Sequence, residues 1–156
     1  MLETEPQIIQ NYVDTGQVRL IFKHYPLPSH DRADEAAEAA ECASVQGKLW
    51  EMKTLLFEKN EEWGSAADLP ATFEGYAESL GLDTTAFREC YDSGGGRLRW
   101  QQDVALGQSA QVNGTPTFFA IRMSDRSGIR VPGFIEFAQF EELMAEMLAP
   151  PTTPTP

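Results

Sequence analysis

Asn113-Gly114-Thr115-Pro116 leads straight into an apolar, β-favouring run at residues 117–122, and this junction constrains the fold more than any other stretch. Proline has no N–H to give to a ladder, so within sheets it is confined to edges, bulges and the first residue of a strand. The turn-prone Asn-Gly pair and Pro116 therefore mark a loop-to-strand boundary, and Thr115-Pro116 is a candidate cis peptide, a conformation open in practice only to X-Pro bonds.

The rest of the chain can be read outward from that boundary. Ile8, Ile9, Tyr12 and Val13 share one helical stripe over residues 6–13, with Pro6 suited to the first turn and Gly16 a stop. Residues 18–25, rich in Val, Leu, Ile and Phe, read as a strand closed by Pro26 and Pro28. From about Asp31 to Gln108 the period is helical. Ala33, Ala36, Ala37, Ala40 and Ala43 make a stripe for burial, and Asp34, Glu35, Glu38 and Glu41 fall on the complementary face. Ser29 or Asp31 is the expected cap of this helix and Gly47 its end.

Leu49, Met52, Leu56 and Phe57 carry the period over residues 48–60, with Trp50 at the edge of the stripe. Residues 61–66 read as a polar connection. Ser65-x-x-Asp68 then offers a helix start that tolerates Pro70, followed by Phe73, Tyr76, Ala77 and Leu80 up to Gly81. Asp83 can cap a helix through Phe87 and Cys90, ended by Gly94-Gly95-Gly96, and Leu98, Gln101, Ala105 and Gln108 mark one face of the next. Past Pro116, the strand 117–122 turns through residues 124–128 into a second strand, 129–134, which Pro132 restricts to an edge or bulge. Phe137, Phe140, Leu143, Met144 and Met147 give a terminal helix that can cover the sheet, and residues 150–156 read as a Pro/Thr-rich disordered tail.

The chain of 156 residues fits one domain, taken here as 1–149. With 24 acids against 12 bases its net charge is −12, which repels nucleic acid and anionic membrane surfaces. No apolar run is long enough to span a membrane, and residues 1–6 lack the basic-then-apolar pattern of a signal peptide. Cys42, Cys90, His24 and His30 have no metal-type spacing beyond the His24/His30 pair, which Pro26 and Pro28 interrupt, so neither a metal nor a cofactor is expected.

Val112-Asn113-Gly114-Thr115-Pro116-Thr117-Phe118-Phe119 closely resembles the cis-proline loop of the DsbA-like branch of the thioredoxin superfamily. Residues 18–30, Glu41-Cys42-Ala43, Gln46 to Trp50, Gly81-Leu82-Asp83 and Cys90 to Gly94 are similar to that family in order and rough spacing. The likeness covers nearly all of residues 5–148. It implies an α/β, thioredoxin-like fold with a DsbA-type helical insertion at about 31–108, and a disulfide-oxidoreductase function in a periplasmic or otherwise extracytoplasmic setting. It also implies a polypeptide thiol or disulfide substrate, or a redox partner, facing Gly114, Thr115, Pro116 and Thr117.

The family's redox centre, a Cys-x-x-Cys pair after its first strand, has no counterpart in these residues, so no catalytic residue is assigned. The first central strand is likewise missing, because nothing before the helix at 6–13 can make it, and Leu2 to Pro6 read as the middle of the helix that follows the family's active site. The expectation is an N-terminally truncated sequence, marginally stable or aggregation-prone unless another segment or another chain donates a strand.

A disulfide exchanger needs a thiolate stabilised at a helix N-terminus. Cys42 lies mid-helix among acids and Cys90 late in its helix, so each is either a buried small residue or half of a structural disulfide Cys42–Cys90. His24 and His30 permit an acid-base reading, although His30 fits better as support for the following helix. The alternatives to an oxidoreductase domain inactive as given are a non-catalytic peptide- or partner-binding module, or a relative of glutathione-dependent isomerases and transferases.

Overall fold

Apolar periodicity and local turn chemistry set most of the elements in a computed structural model, which describes residues 3–149. They are α1 (Thr4–Ile8), which continues into a π-helical turn Ile9–Val13, then α2 (Ala33–Val45), α3 (Leu49–Glu58), α4 (Asn60–Gly64), α5 (Leu69–Ser79), α6 (Thr84–Ser93), α7 (Arg97–Ser109), β1 (Thr117–Ile121), β2 (Gly128–Pro132) and α8 (Phe137–Leu148). The described residues separate into two compact units: Glu3–Ile21 with residues 112–149, and Phe22–Gln111.

In the Phe22–Gln111 unit, α2 is the centre. Its alanines Ala36, Ala39, Ala40 and Ala43 are buried, and their small side chains let Met52 and Leu56 of α3, Phe73 of α5 and Phe87 of α6 close around it. Phe73 has its ring centroid 6.0 Å from Trp63, 6.1 Å from Tyr76 and 5.8 Å from Tyr91, so one aromatic cluster joins α4, α5 and α6. Asp68 caps α5 by accepting the Ala71 N–H at 3.0 Å, and Asp83 caps α6 by accepting that of Ala86 at 3.0 Å. Gly94 ends α6 at φ 69°, the left-handed conformation that glycine adopts without strain.

Four expectations change in this unit. The cap of α2 is neither Ser29 nor Asp31: Arg32 occupies that position at φ 63°, without a side-chain cap, and its guanidinium donates instead to the Trp63 and Ala66 carbonyls at 3.1 and 2.8 Å. Glu38 and Glu41 are buried, not solvated, because α2 is enclosed on that side too and both carboxylates have polar partners there. Part of the 61–66 connection is helical, as α4, after a break at Lys59. Ser65 closes α4 by donating to the Glu61 carbonyl at 2.8 Å, leaving Asp68 alone to start α5.

In the other unit, β1 and β2 form an antiparallel pair in which Phe118 faces Val131 and Ala120 faces Ile129. These residues alternate with Phe119, Arg130 and Ile121, so the pleat sends one set toward α8 and the other away. Phe140, Leu143, Met144 and Met147 of α8 are buried with Ile8 of α1, and Tyr12 meets Phe140 edge-on at 5.8 Å. Arg122 ties the hairpin to the end of α8 by donating to the Met147 and Glu146 carbonyls, both at 2.9 Å, where a cation also complements the helix dipole. The second strand is shorter than expected: it ends at Pro132, because Gly133 turns the backbone to φ 86°.

Residues 18–25 are the main correction. They form no strand: Val18–Ile21 belong to one unit and Phe22–Tyr25 to the other, and no ladder partner meets them among the described residues. A β-favouring sequence becomes a strand only when a neighbour takes its N–H and C=O groups. The tail expected at 150–156 lies outside the described residues.

Candidate functional site

α7 ends at Ser109, and Gln111, at φ 56°, reverses the chain before Val112. The Thr115–Pro116 peptide bond is cis. Gly114 stands in open space, with no atom within 4 Å of where a Cβ would sit. Thr117 Oγ1 donates to the Gly114 carbonyl at 2.7 Å, closing the loop on itself, and the Pro116 carbonyl accepts the Gly133 N–H at 2.8 Å. The residues expected at the site, Gly114, Thr115, Pro116 and Thr117, are thus one contiguous turn leading into β1.

The Pro116–Gly133 bond at one end of the hairpin, and the bond from Arg122 N–H to the Ser127 carbonyl at 2.9 Å at the other, fix which backbone groups point where. In an antiparallel pair, residues alternate between facing the partner and facing away. Pro116, Phe118, Ala120 and Arg122 direct their main chains toward β2. Thr117, Phe119 and Ile121 direct theirs to the other edge, where β1 has no neighbour among the described residues. Thr115 is exposed, and its main-chain N–H and C=O take no part in the hydrogen bonding of the described residues. The side chains of Phe119 and Ile121 are 46% and 59% exposed on the sheet face turned away from α8. Unpaired backbone flanked by bare apolar side chains is a template for an extended polypeptide.

Phe119 and Ile121 extend the site beyond the expected Gly114–Thr117 turn. The alternation that places them was visible, but the open edge depends on which strand pairs with which. On its other face the same hairpin contributes Phe118 to a shallow apolar recess with Thr4, Ile8, Leu20 and Ile135.

The sulfur chemistry lies elsewhere in the fold. Cys42 of α2 and Cys90 of α6 are joined by a disulfide, with Cα atoms 5.7 Å apart, and no free cysteine remains among the described residues. Cys42 is 1% exposed, so a soluble thiolate has no direct path to it. Among the described residues no cluster of His, Cys, Asp and Glu has the arrangement to hold a metal ion.

The two histidines separate. His30 is exposed and supports the start of α2 through its backbone, its carbonyl accepting the Ala33 N–H at 3.2 Å. His24 is buried, its ring edge-on to Phe22 at 4.9 Å and its Nε2 3.1 Å from Glu41 Oε1, although not aligned for a hydrogen bond. Close by, Tyr91 is pushed up to about 12 by burial first and then by the Glu35, Glu38 and Asp34 charges. The side-chain hydrogen bond between Asp34 and Glu35 holds the first carboxyl below its ordinary range and pushes the second above it. This acidic neighbourhood disfavours anionic chemistry around α2.

Residues 1–122 match the family model described as Thioredoxin. The chain is 42% identical over 118 residues to a protein of Salinispora tropica named Na(+)/H(+) antiporter NhaA 3, an alignment covering 75% of this chain and 17% of that protein. It is 40% identical over 118 residues to Na(+)/H(+) antiporter NhaA 1 of Salinispora arenicola, with the same 75% and 17% coverage. A further relative, Na(+)/H(+) antiporter NhaA 1 of Mycolicibacterium vanbaalenii, is 31% identical over 118 residues, covering 72% of this chain and 17% of that one. The chain therefore spans 17% of the length of these curated relatives. Among the described residues, no helix is long and apolar enough to cross a membrane.

Proposed function

We propose, since the chain belongs to the thioredoxin family, that it is the polypeptide-receiving part of a DsbA-like thiol-disulfide oxidoreductase domain. In this proposal residues 1–149 form one thioredoxin-like domain with a helical insertion at about 31–108. The observation that carries the reading is the line of unpaired main chain at Thr115, Thr117, Phe119 and Ile121, beside the Thr115–Pro116 turn. An extended substrate would add to that edge by backbone hydrogen bonds, which give affinity with little dependence on sequence.

Attack on a disulfide needs a thiolate. Both cysteines of this chain are already bonded to each other, so the chain alone binds and does not turn over. A strand carrying a reactive cysteine pair, whichever polypeptide supplies it, would complete the centre by pairing with the edge at Thr117, Phe119 and Ile121 in place of the peptide, leaving the Thr115 main chain to the substrate. The Cys42–Cys90 bond also supports a non-catalytic variant of this reading, a module that holds peptides or a partner without exchanging electrons.

The experiment is a titration of the isotopically labelled chain with an extended, cysteine-free peptide. Amide shifts should concentrate at Gly114, Thr117, Phe119 and Ile121 and spare Ile129 and Val131 of β2, while insulin reduction stays at background. Shifts spread over both strands, or none, would remove the binding claim. Turnover above background would remove the claim that the chain is inactive alone.

The relatives' printed names support a second reading, in which a module of this kind serves a Na+/H+ antiporter. Sodium-driven proton flux in vesicles, with and without the chain joined to such a transporter, tests it; unchanged flux would dismiss it.

A further inference from the structure

A fold demands glycine where the backbone turns to positive φ or where another group comes too close for a Cβ. Gly114 meets neither condition. Its φ lies outside the left-handed region, and nothing stands within 4 Å of a Cβ built on it. The residue before it, Asn113, is exposed. Among the described residues, neither the Asn113 carboxamide nor the Gly114 N–H makes a hydrogen bond. What glycine leaves here is a bare amide nitrogen, next in the chain to a free carboxamide.

An asparagine Cγ and the nitrogen of the next residue can close a five-membered ring. The reaction is slow where the following side chain crowds that nitrogen, and where regular structure or a hydrogen bond holds the two atoms apart. The other asparagines are protected in these ways. Asn11 lies in the π-helical turn, donates its Nδ2–H to the Gln7 carbonyl at 2.8 Å and is followed by Tyr12. Asn60 begins α4 and is followed by Glu61. Asn113-Gly114 is the only Asn-Gly pair in the sequence, and it lies outside every helix and strand.

We propose that Asn113 is a self-modification site, at which the Gly114 nitrogen converts the carboxamide to aspartate or isoaspartate and so ages the loop before Pro116. The Gly114 N–H gives its proton to solvent, and its nitrogen adds to Asn113 Cγ, forming a new C–N bond. The C–N bond of the carboxamide breaks, and that nitrogen leaves as ammonia with protons taken from water. One water then opens the succinimide: at Cγ it gives aspartate, and at the main-chain carbonyl it gives isoaspartate. In net terms an amide and a water become a carboxylate and ammonia, with no change of oxidation state. Either product adds a negative charge close to Thr115, in a chain whose net charge is already −12. Isoaspartate also routes the main chain through the side chain, adding one carbon beside the Thr117 Oγ1–Gly114 carbonyl bond that closes the turn at 2.7 Å. On the reading of Thr115 as main chain that receives an extended peptide, on which this consequence rests, modification weakens peptide binding.

Peptide mapping by mass spectrometry, with a separation that resolves isoaspartate, tests the chemistry on the whole folded chain held in mildly alkaline buffer. Asn113 should convert to aspartate and isoaspartate, with isoaspartate the larger share, while Asn11 and Asn60 remain amides. Gly114→Ala, which the open space and the backbone angle both tolerate, should slow the loss of Asn113 at least about tenfold by crowding the nitrogen. The proposal is overturned if Asn113 stays intact in the folded chain over a period in which the urea-unfolded chain loses it, if Asn11 or Asn60 converts as fast, or if Gly114→Ala converts as fast as the parent. Purified by anion exchange, the isoaspartate form should bind the extended, cysteine-free peptide at least about threefold more weakly than the intact form. Equal binding would overturn the effect on the loop. If the intact chain itself binds no peptide, the peptide-receiving reading fails, while the mapping still decides the modification.

Discussion

Two glycines in the helical unit have opposite roles. A methyl added at Gly96 would stand 2.6 Å from Glu41 Cβ and 3.2 Å from the Glu38 carbonyl oxygen, whereas one at Gly75, inside α5, has nothing within 4 Å. Gly96→Ala should therefore destabilise by about 1–3 kcal/mol through overpacking. Gly75→Ala should stabilise by about 0.5–1 kcal/mol, since alanine costs less chain entropy in a helix. Urea midpoints of the two variants against the parent check both signs. Sequence made Gly94-Gly95-Gly96 visible as a helix end but not the pressure on Gly96, which comes from α2, more than fifty positions earlier in the chain. The burial of Glu38 and Glu41 was hidden for the same reason: periodicity ranks faces of one helix, and only packing decides whether the polar face also receives a neighbour.

Tyrosine titration belongs to this scale too. Tyr76 is pushed up to about 12 by burial and by its hydrogen bond to Glu62, made at 2.9 Å, and Tyr91 also reaches about 12. An unfolded tyrosine titrates near pH 10. Between about pH 10 and about pH 12 the folded state therefore holds protons that the unfolded state has lost, and stability falls as pH rises through that window. Chemical denaturation across the window should show this decline, and Tyr91→Phe should flatten part of it.

Among elements, the α2–α6 pairing is the one closed covalently. The disulfide spans a sequence separation of 48, for which loop-closure entropy gives roughly 4 kcal/mol. Reduction, or Cys42→Ala with Cys90→Ala, should lower the denaturation free energy of the helical unit by about 2–4 kcal/mol, with the shortfall from residual structure in the reduced unfolded chain. Thiol titration under denaturing conditions should find no free thiol before reduction and two after. Asp83 and the alanine stripe of α2 were legible because a cap or a buried stripe is a property of a few adjacent residues, whereas the cap of α5 moved from Ser65 to Asp68 once α4 took up Ser65. Residues 18–25 were misread because a strand is a property of a pair. α7 was only half legible: its length and its half-buried Trp100 follow the helical pattern, but its anchorage on Glu38, which accepts the Gly96 N–H and the Trp100 Nε1–H, leaves no apolar signature.

At the scale of the molecule, the two units differ in what stabilises them. Twelve buried residues form the core of the Phe22–Gln111 unit, with the disulfide inside it, against five in the unit containing the hairpin and α8. A two-stranded sheet covered on one face has little apolar area to bury and an open edge besides, so the hairpin unit should open first. The three tryptophans, Trp50, Trp63 and Trp100, all lie within Phe22–Gln111, so fluorescence follows only the helical unit. The methyl signals of Met144 and Met147 follow the other. In urea the methyl transition should precede the fluorescence transition, and amides of Phe119 and Ile121 should exchange faster than those of Ala39 and Ala40. Reducing the disulfide should pull the fluorescence midpoint down and leave the methyl midpoint where it was. A peptide bound along the β1 edge should raise the methyl midpoint by mass action. Coincident transitions before and after reduction would mean that the units unfold as one cooperative body, and the division of stability between them would have to be abandoned.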